Sequence, residues 1–412
     1  MIRYPWGGLF VLCLIFGACG GDDFPDMNTG VGPNNGGQGN NGNNGGNFAL
    51  SEFALPDVAR DPVGNPTTNL KVELGRMLFW DPILSGTKDV ACVTCHHPDF
   101  GYADGLDLSI GVHGMGLGPQ RRNGNPNQAF FAGRNAPTVL NTGFNGIDEN
   151  GVYIPERGAM FWDLRAHGLE EQALLPPTSA EEMRGNVFAA EDAVDSVILR
   201  LKAISEYQDL FDQAFGGAES INETNLSRAL ASFQRSLVAN NSPFDRYVAG
   251  EADAMSPQAI QGFERFLDVG CANCHSGPMF SDFETHVLGV PDNDKLTESD
   301  AGQNGTYAFR TPSLRNIGIT GPYFHSGRAE DLEDVLDFYI RIQGNGNGGG
   351  RGALPINPNA GELADELEDL RLRPQDIDEI EAFLNALTDL DFDDRVPVRV
   401  PSGLPVGGNI SQ

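Results

Sequence analysis

Two short motifs hold the residue types in this chain that are best suited to chemistry. ACVTCHH and CANCH share one CxxCH spacing, and their residues are Cys92, Cys95, His96, Cys271, Cys274 and His275. In such a motif the two thiols can bond to the vinyl groups of a porphyrin while the histidine ligates its iron. Two CxxC pairs can also form a zinc site. Because a histidine follows each pair, the motifs predict two c-type haems, with His96 and His275 as proximal iron ligands.

The other cysteines lie at the N-terminus, which has the pattern of an export signal. Arg3 precedes an apolar run from residue 6 to 16, and Cys19 follows small residues. This is typical of a lipoprotein signal over residues 1–19 with lipidation of Cys19, and an ordinary cleaved signal is the alternative. Residues 20–47, rich in Gly and Asn, predict a flexible tether. We therefore expect a protein of the periplasm or cell surface, held at the outer membrane only by its lipid.

The composition is strongly acidic. There are 57 acidic residues against 27 basic ones, which gives a formal net charge of −30. Such a chain repels the phosphates of nucleic acid, so we expect no nucleic-acid partner. A basic protein partner or bound cations fit this charge, and a contribution to solubility alone is the alternative.

Apolar residues at helical spacing predict helices between loops. Thr224 is expected to cap a helix over residues 225–238, and Ser256 is expected to cap a helix that begins at Pro257. A further helix is expected to begin at Pro374, with an apolar stripe formed by Ile377, Ile380, Phe383, Leu384 and Leu387. Alternation typical of strands is scarce, so the predicted fold class is all-α.

The surroundings of the two CxxCH motifs resemble each other, with an apolar helical face before each motif and Pro and Phe after it. This weak repeat predicts two cytochrome c-like domains, each with one covalently bound haem, and the alternative is that both segments simply surround a flat cofactor. We place the domains at residues 48–240 and 241–395, followed by a tail over residues 396–412. The Gly/Asn run at residues 344–350 predicts a disordered loop.

With both motifs placed, the chain resembles the bacterial di-haem cytochrome c peroxidase family, including its MauG-like branch. The similarity covers about residues 70 to 390. It rests, beyond the CxxCH motifs, on RNAPT, FWDLRAHGLEEQALLPPTSAEEM and LRNIGITGPYFHSG. The resemblance implies an oxidoreductase in which the N-terminal haem reacts with peroxide and the C-terminal haem transfers electrons.

The resemblance also implies roles for individual residues. Glu182 would move a proton between the two oxygens of peroxide, Gln172 would orient the peroxide, and Trp162 would carry electrons between the haems. A calcium ion is implied as well, bound by a side chain and two backbone carbonyls, which are oxygen ligands suited to this cation. Its three positions are Asn135, Thr320 and Pro322.

Three positions depart from the family pattern. Tyr339 stands where the peroxidases often carry the Met that ligates the second iron, which is similar to the MauG-like branch; the alternative is a Tyr of an amphipathic helix. His113 lies one residue beyond a histidine that ligates the first iron in some members, and a surface loop histidine is the alternative. Leu164 replaces the Gly of the family's WDGR, so we expect a change in backbone geometry there.

Three functions follow from this resemblance. In the first, hydrogen peroxide is reduced with electrons from a small donor protein, a cytochrome c or a cupredoxin. In the second, a MauG-like enzyme uses peroxide-derived high-valent iron to oxidise residues of a partner protein. The third is a non-catalytic di-haem electron carrier. The resemblance also implies a homodimer, which no feature of the sequence itself indicates.

Overall fold

The computed structural model describes residues 48–124, 131–343 and 354–411, so the predicted signal, tether and 344–350 loop lie outside the described residues. Within these ranges the chain is rich in helix. The α-helices are α1 Asn69–Trp80, α2 Gly168–Gln172, α3 Ala193–Lys202, α4 Ser205–Phe215, α5 Glu223–Ser236, α6 Pro243–Val248, α7 Pro257–Asp268, α8 Leu332–Gln343 and α9 Ile377–Ala386.

Sheet structure in the described ranges is limited to three antiparallel two-stranded ribbons. They pair β1 with β2, β3 with β4, and β5 with β6, and each strand has two residues. The strands are β1 Gly114–Met115, β2 Arg122–Asn123, β3 Ala159–Met160, β4 Ala166–His167, β5 Thr285–His286 and β6 Phe309–Arg310. No helix among the described residues is both long and apolar enough to cross a membrane.

A first hydrophobic cluster forms where α1 packs on α5. The apolar stripe predicted for α5 is buried in it. Gly75 of α1 lies where the two helices approach most closely, since a Cβ there would lie 2.1 Å from the carbonyl oxygen of Ala229. A side chain would force the helices apart, so glycine is required for this crossing. The buried stripe consists of Leu226, Leu230, Phe233 and Leu237.

A second cluster repeats this arrangement where α7 packs on α9. Gly262 of α7 has the role of Gly75, because a Cβ there would lie 1.8 Å from the carbonyl oxygen of Glu379. The stripe predicted from residue 377 onward is buried. In both clusters the first helix of the pair is the one that precedes a CxxCH motif. The boundary predicted between residues 240 and 241 falls between α5 and α6.

The predicted helix starts are correct to within a few residues. Ser256 caps α7, since its side chain accepts a hydrogen bond from the backbone N–H of Ala259 at 3.1 Å. The start of α5 differs from the prediction. Asn222, and not Thr224, is the cap, and its side chain accepts from the N–H of Asn225 at 2.9 Å. Both residue types cap well, so the sequence alone does not decide between them.

The segment after residue 395 packs against the first cluster. Val400 is fully buried there. The hydroxyl of Ser402 donates to Asp81 at 2.6 Å, and the N–H of Gly407 donates to the carbonyl of Trp80 at 2.8 Å. The Gly407 carbonyl in turn accepts a bond from Thr94, inside the first CxxCH motif, at 3.2 Å. The C-terminal residues therefore help to hold the first motif in place.

Candidate active site

The residues of the first CxxCH motif line a cavity. Cys92–Thr94 form a 3₁₀ turn, and the hydroxyl of Thr94 accepts a hydrogen bond from the N–H of Ala91 at 3.0 Å, which fixes the turn. Cys92, Cys95 and His96 line a cavity of about 1040 Å³. The turn thus presents both thiols and the imidazole to one cavity.

The His96 imidazole is oriented by the backbone. Its Nδ1 lies 3.1 Å from the carbonyl oxygen of Tyr102, so Nδ1 carries the proton and Nε2 keeps its lone pair. Burial lowers the pKa of His96 to about 4, so the ring is neutral at pH 7. The neighbouring His97 is used differently, because its Nδ1 accepts from the N–H of Asp99 at 3.2 Å. Of the two adjacent histidines, only His96 lines the cavity.

The second motif has the same local construction. Cys271–Asn273 form a 3₁₀ turn, and Cys271, Cys274 and His275 line a second, smaller cavity of about 210 Å³. Nδ1 of His275 lies 2.9 Å from the carbonyl oxygen of Phe280. Burial lowers the pKa of His275, so this ring is also neutral with Nε2 as its acceptor.

The donor set fits one c-type haem in each cavity. Each cavity contains two thiols, and their CxxC spacing suits the two vinyl groups of one porphyrin. Each also contains one neutral imidazole with a lone pair for iron. The two CxxC pairs line separate cavities, so they do not form one four-cysteine zinc site. Among the described residues, one cluster of three potential metal ligands has its ligand atoms close together, namely Cys274, Asp282 and His286. This cluster contains only one cysteine of a CxxCH motif.

Glu182 and Gln172 both line the first cavity, as the sequence predicts for the distal side. Glu182 lies in a π-helical turn, Ala180–Arg184, where the Ser179 hydroxyl accepts from its N–H at 3.3 Å. Burial raises the pKa of the Glu182 carboxyl. The side-chain oxygen Oε1 of Gln172 is buried and has no hydrogen-bond partner among the described residues. A carboxyl and an unused amide oxygen therefore lie in the same cavity as the His96 imidazole.

Trp162 lies in the wall shared by the two cavities and lines both. It is 8% exposed, and its Nε1 donates to the carbonyl oxygen of Asn135 at 3.0 Å. The turn that carries it, between β3 and β4, contains Phe161 and Leu164 with φ of +63° and +57°. This is the left-handed region that glycine favours, so Leu164 takes a conformation that is unusual for a leucine, at the position where the family pattern has Gly.

Tyr339 lines the second cavity from α8. Burial raises the pKa of its phenol above the ordinary value, and the nearby Cys274 and Cys271 act in the same direction. Its ring lies 6.4 Å from that of Phe324, between ring centroids. Tyr339 therefore belongs to the wall of the cavity that also contains His275, as the sequence predicts for a second ligand.

His113 is placed elsewhere. Its side chain is 42% exposed, and it is absent from the residues that line the first cavity. Its backbone N–H donates to Asp89 Oδ2 at 2.8 Å, and its Nδ1 lies 3.9 Å from the same oxygen. The structure thus does not bring His113 to the other site residues of the first cavity.

The three predicted calcium positions, Asn135, Thr320 and Pro322, all line the second cavity. The amide nitrogen of Asn135 donates to the carbonyl of Leu106 at 2.8 Å, which leaves the side-chain oxygen as the available acceptor. The peptide bond between Gly321 and Pro322 is cis. The donors are oxygens of the kind calcium prefers.

The sequence did not single out Arg310, although it lines both cavities. It is 7% exposed, and its backbone N–H donates to the carbonyl of Trp162 at 2.7 Å. Its position in FRTPSLRN, shortly before a segment assigned to the site, was the available signal. A basic residue in such a segment is usually at the surface, so its burial was not predictable from residue type and spacing.

Two cavities that differ in size and in part of their lining, but that each have a CxxCH turn and an oriented imidazole, are the arrangement expected of a c-type di-haem protein. Comparison with known proteins then identifies the family. Residues 69–253 match the family described as di-haem cytochrome c peroxidase. Two curated relatives, described below, are more than 30% identical to this chain over most of their own lengths. The chain belongs to the di-haem cytochrome c peroxidase family, which includes MauG, and is an oxidoreductase of that type.

The relatives come from both branches of the family. The chain is 38% identical over 296 residues to the methylamine utilization protein MauG of Methylorubrum extorquens, covering 71% of this chain and 74% of that protein. It is 32% identical over 345 residues to cytochrome c551 peroxidase of Pseudomonas aeruginosa, covering 81% and 83%. The crystal structure of a MauG-like protein associated with microbial copper homeostasis superimposes with a TM-score of 0.64 at 26% identity, covering 81% of this chain and 95% of that one. Membership of a di-haem family implies two c-type haems.

Proposed function

We propose that this protein reduces hydrogen peroxide at a haem in the first cavity, with electrons that pass through a haem in the second cavity from a small redox protein. The observation that carries this proposal is the presence of Glu182 and Gln172 in the same cavity as the neutral His96 imidazole. When bound, the haem supplies the iron redox chemistry that the side chains of this chain lack. The side chains supply binding, orientation and proton transfer.

The chemistry of peroxide cleavage requires a proton to move from one oxygen to the other. Glu182 performs this transfer, since a carboxylate can accept a proton and then donate it from one position. Burial raises its pKa towards the operating pH, which favours both steps. Gln172 orients the peroxide, because its buried Oε1 has no partner among the described residues and accepts a hydrogen bond from a peroxide O–H.

Trp162 provides the route between the two cavities. Its indole lies in their common wall, and the hydrogen bond from Nε1 to the Asn135 carbonyl holds the ring in one orientation. The residues that would hold the two haems are those predicted from the motifs. Those in the first cavity are Cys92, Cys95 and His96, and those in the second are Cys271, Cys274 and His275.

Reaction with a reduced cytochrome c tests this function. Protein with both haems is treated with one equivalent of peroxide and mixed with reduced cytochrome c in a stopped-flow instrument. We expect rapid oxidation of two equivalents of cytochrome. Absence of cytochrome oxidation, together with a long-lived oxidised state of both haems, would contradict the peroxidase function and support the MauG-like one.

The MauG-like function is the second candidate, and Tyr339 favours it. The phenol lies in the wall of the second cavity. As a tyrosinate ligand it would stabilise higher oxidation states of iron than a thioether would. Replacing Tyr339 by Met is then expected to raise the reduction potential of the second haem and to speed its reduction by cytochrome c. An unchanged reduction potential in Tyr339→Met would show that Tyr339 does not ligate the iron. Tyr323→Phe is the matched control.

The non-catalytic carrier differs from both in its resting spectrum. A peroxidase with an open position at the first iron is expected to show a high-spin ferric component. Two fully low-spin haems that remain so after reduction would support the carrier. His113 lies outside the first cavity, so we propose that it is a surface loop residue and leaves this iron open.

Two further features belong to the proposal. A calcium ion is bound at Asn135, Thr320 and Pro322, and metal analysis of Asn135→Ala against the parent protein tests it.

Cys19, which lies outside the described residues, is lipidated and anchors the protein at the outer membrane facing the periplasm or the cell surface. Labelling with a radioactive fatty acid, with Cys19→Ala as control, tests the anchor.

A further inference from the structure

Arg310 is a buried cation without an anionic partner. It is 7% exposed, and no carboxylate of the described residues lies within ion-pair distance of it. Among the described residues, three of the four other buried arginines pair with carboxylates: Arg76 with Asp393, Arg235 with Glu170, and Arg315 with Asp245. The fourth, Arg121, instead donates through three of its nitrogens to backbone carbonyls. A buried guanidinium normally requires such a partner, because removing a charge from water is costly.

The hydrogen bonds of Arg310 use only part of its side chain. Nε donates to the carbonyl oxygen of Phe161 at 2.9 Å, and Nη1 lies 3.4 Å from the carbonyl oxygen of Thr311. Within the described residues, Nη2 has no acceptor, although a guanidinium has five N–H donors. Burial lowers the pKa of Arg310 to about 10, which still leaves it charged at pH 7.

The position of this unpaired charge is specific. Arg310 lines both the first and the second cavity, and its backbone N–H donates to the carbonyl of Trp162 at 2.7 Å. The cation is thus fixed next to the residue that separates the two cavities. A ligand that enters either cavity with a carboxylate can reach it, and a haem carries two propionate carboxylates.

We propose that Arg310 binds a haem propionate at the junction of the two cavities and sets the reduction potential of the haem it contacts. The planar fork of a guanidinium matches a carboxylate in a bidentate manner, so it serves both as an anchor and as a fixed positive charge. This inference rests on the proposed function, since it requires haem in the cavities. Arg310 acts as a positioning residue and takes no part in proton transfer.

The charge has a predictable effect on the potential. Reduction adds an electron to the haem, and a nearby buried cation stabilises the reduced state. Removing the cation therefore favours the oxidised state and lowers the potential. Lysine at the same position keeps the charge, although it cannot form the bidentate contact.

The test uses spectroelectrochemical titration of the purified di-haem protein. Arg310→Gln is expected to retain both haems. The equilibrium constant for reduction of at least one haem is expected to fall tenfold or more, which lowers its reduction potential by about 59 mV for one electron. For Arg310→Lys, the equilibrium constants for reduction of both haems are expected to stay within threefold of those of the parent protein. Arg200→Gln is the matched control, because Arg200 also donates to backbone carbonyls, of Ile83, Ser85 and Gly86, but lines neither cavity.

Two results would overturn the inference. One is an Arg310→Gln protein whose two potentials equal those of the parent. The other is an equal shift in Arg310→Gln and Arg310→Lys, which would indicate a structural effect without a role for charge. If Arg310→Gln does not accumulate as folded protein, Arg310→Met replaces it. Parent protein without two haems would instead contradict the proposed function, so the two failures are distinguishable.

Discussion

His96 and His275 show how a single hydrogen bond prepares a ligand. In each case Nδ1 bonds to a backbone carbonyl a few residues further along the chain, Tyr102 for the first and Phe280 for the second. This bond selects the tautomer with the lone pair on Nε2, and burial keeps the ring neutral. Both conditions are met by the folded chain itself, so both imidazoles are preorganised for the iron ligation that we propose.

At the same scale, Glu182→Gln tests the proton-transfer role. The amide cannot take up and return a proton, so we expect kcat for peroxide reduction to fall about 10²-fold or more. Haem content and the position of the absorption maxima are expected to stay unchanged. The control is Glu191→Gln, which removes an exposed carboxyl outside the cavity. Equal activity of the two variants would remove Glu182 from the mechanism.

The raised pKa of Glu182 also gives a prediction for pH. A proton acceptor is active only when ionised, so kcat/KM for peroxide is expected to fall as the pH drops through the raised pKa. The fall should begin at a higher pH than for an ordinary glutamate. A pH–rate profile of Glu182→Gln is expected to lose this limb, and a profile identical to that of the parent would assign the limb to another group.

The elements that position the site were largely predictable from periodicity. The apolar stripes of α5 and α9 and the cap of α7 follow from residue spacing alone, because one buried face imposes a 3.6-residue repeat. The close helix approach at Gly75 and Gly262 was not predictable, because nothing local indicates which glycine lies at a crossing. Packing of the C-terminal segment onto the first motif is likewise a tertiary effect.

The two helix crossings yield a stability prediction at the scale of elements. Gly75→Ala and Gly262→Ala each place a Cβ against a backbone carbonyl that cannot move freely, so we expect each to destabilise the fold by about 1–3 kcal/mol. Gly361→Ala is the control, since no atom lies within 4 Å of a Cβ there, and its effect should stay within about 0.5 kcal/mol. Thermal unfolding provides the measurement. Equal melting temperatures for all three variants would contradict the close approach.

For the site itself, the sequence was sufficient where chemistry follows from residue type and spacing. The CxxCH residues, and the positions taken from the family resemblance for Glu182, Gln172 and Trp162, lie at two cavities as anticipated. Their chemical roles stay predictions. His113 differs, because its position depends on a loop whose course the motif does not determine. Arg310 was not found because the lack of a counter-ion is a property of the folded chain.

At the scale of the whole molecule, the net charge of −30 bears on the choice of partner. An acidic protein attracts a basic electron donor over distances up to the Debye length, which is about 10 Å at 0.1 M salt. We expect the second-order rate constant for oxidation of a basic cytochrome c to fall steeply between 0.01 and about 0.15 M ionic strength. An acidic cytochrome serves as the control, and its rate constant should not fall. Equal salt dependence for both donors would contradict electrostatic attraction.

The central claim is that two haems are covalently bound, one at each CxxCH motif. The most direct measurement is the intact mass of denatured protein from a host that matures c-type cytochromes, combined with that of Cys92→Ala/Cys95→Ala and Cys271→Ala/Cys274→Ala. The account predicts two haem additions in the parent protein and one in each double variant. A parent mass without haem, or bound zinc in its place, would contradict it.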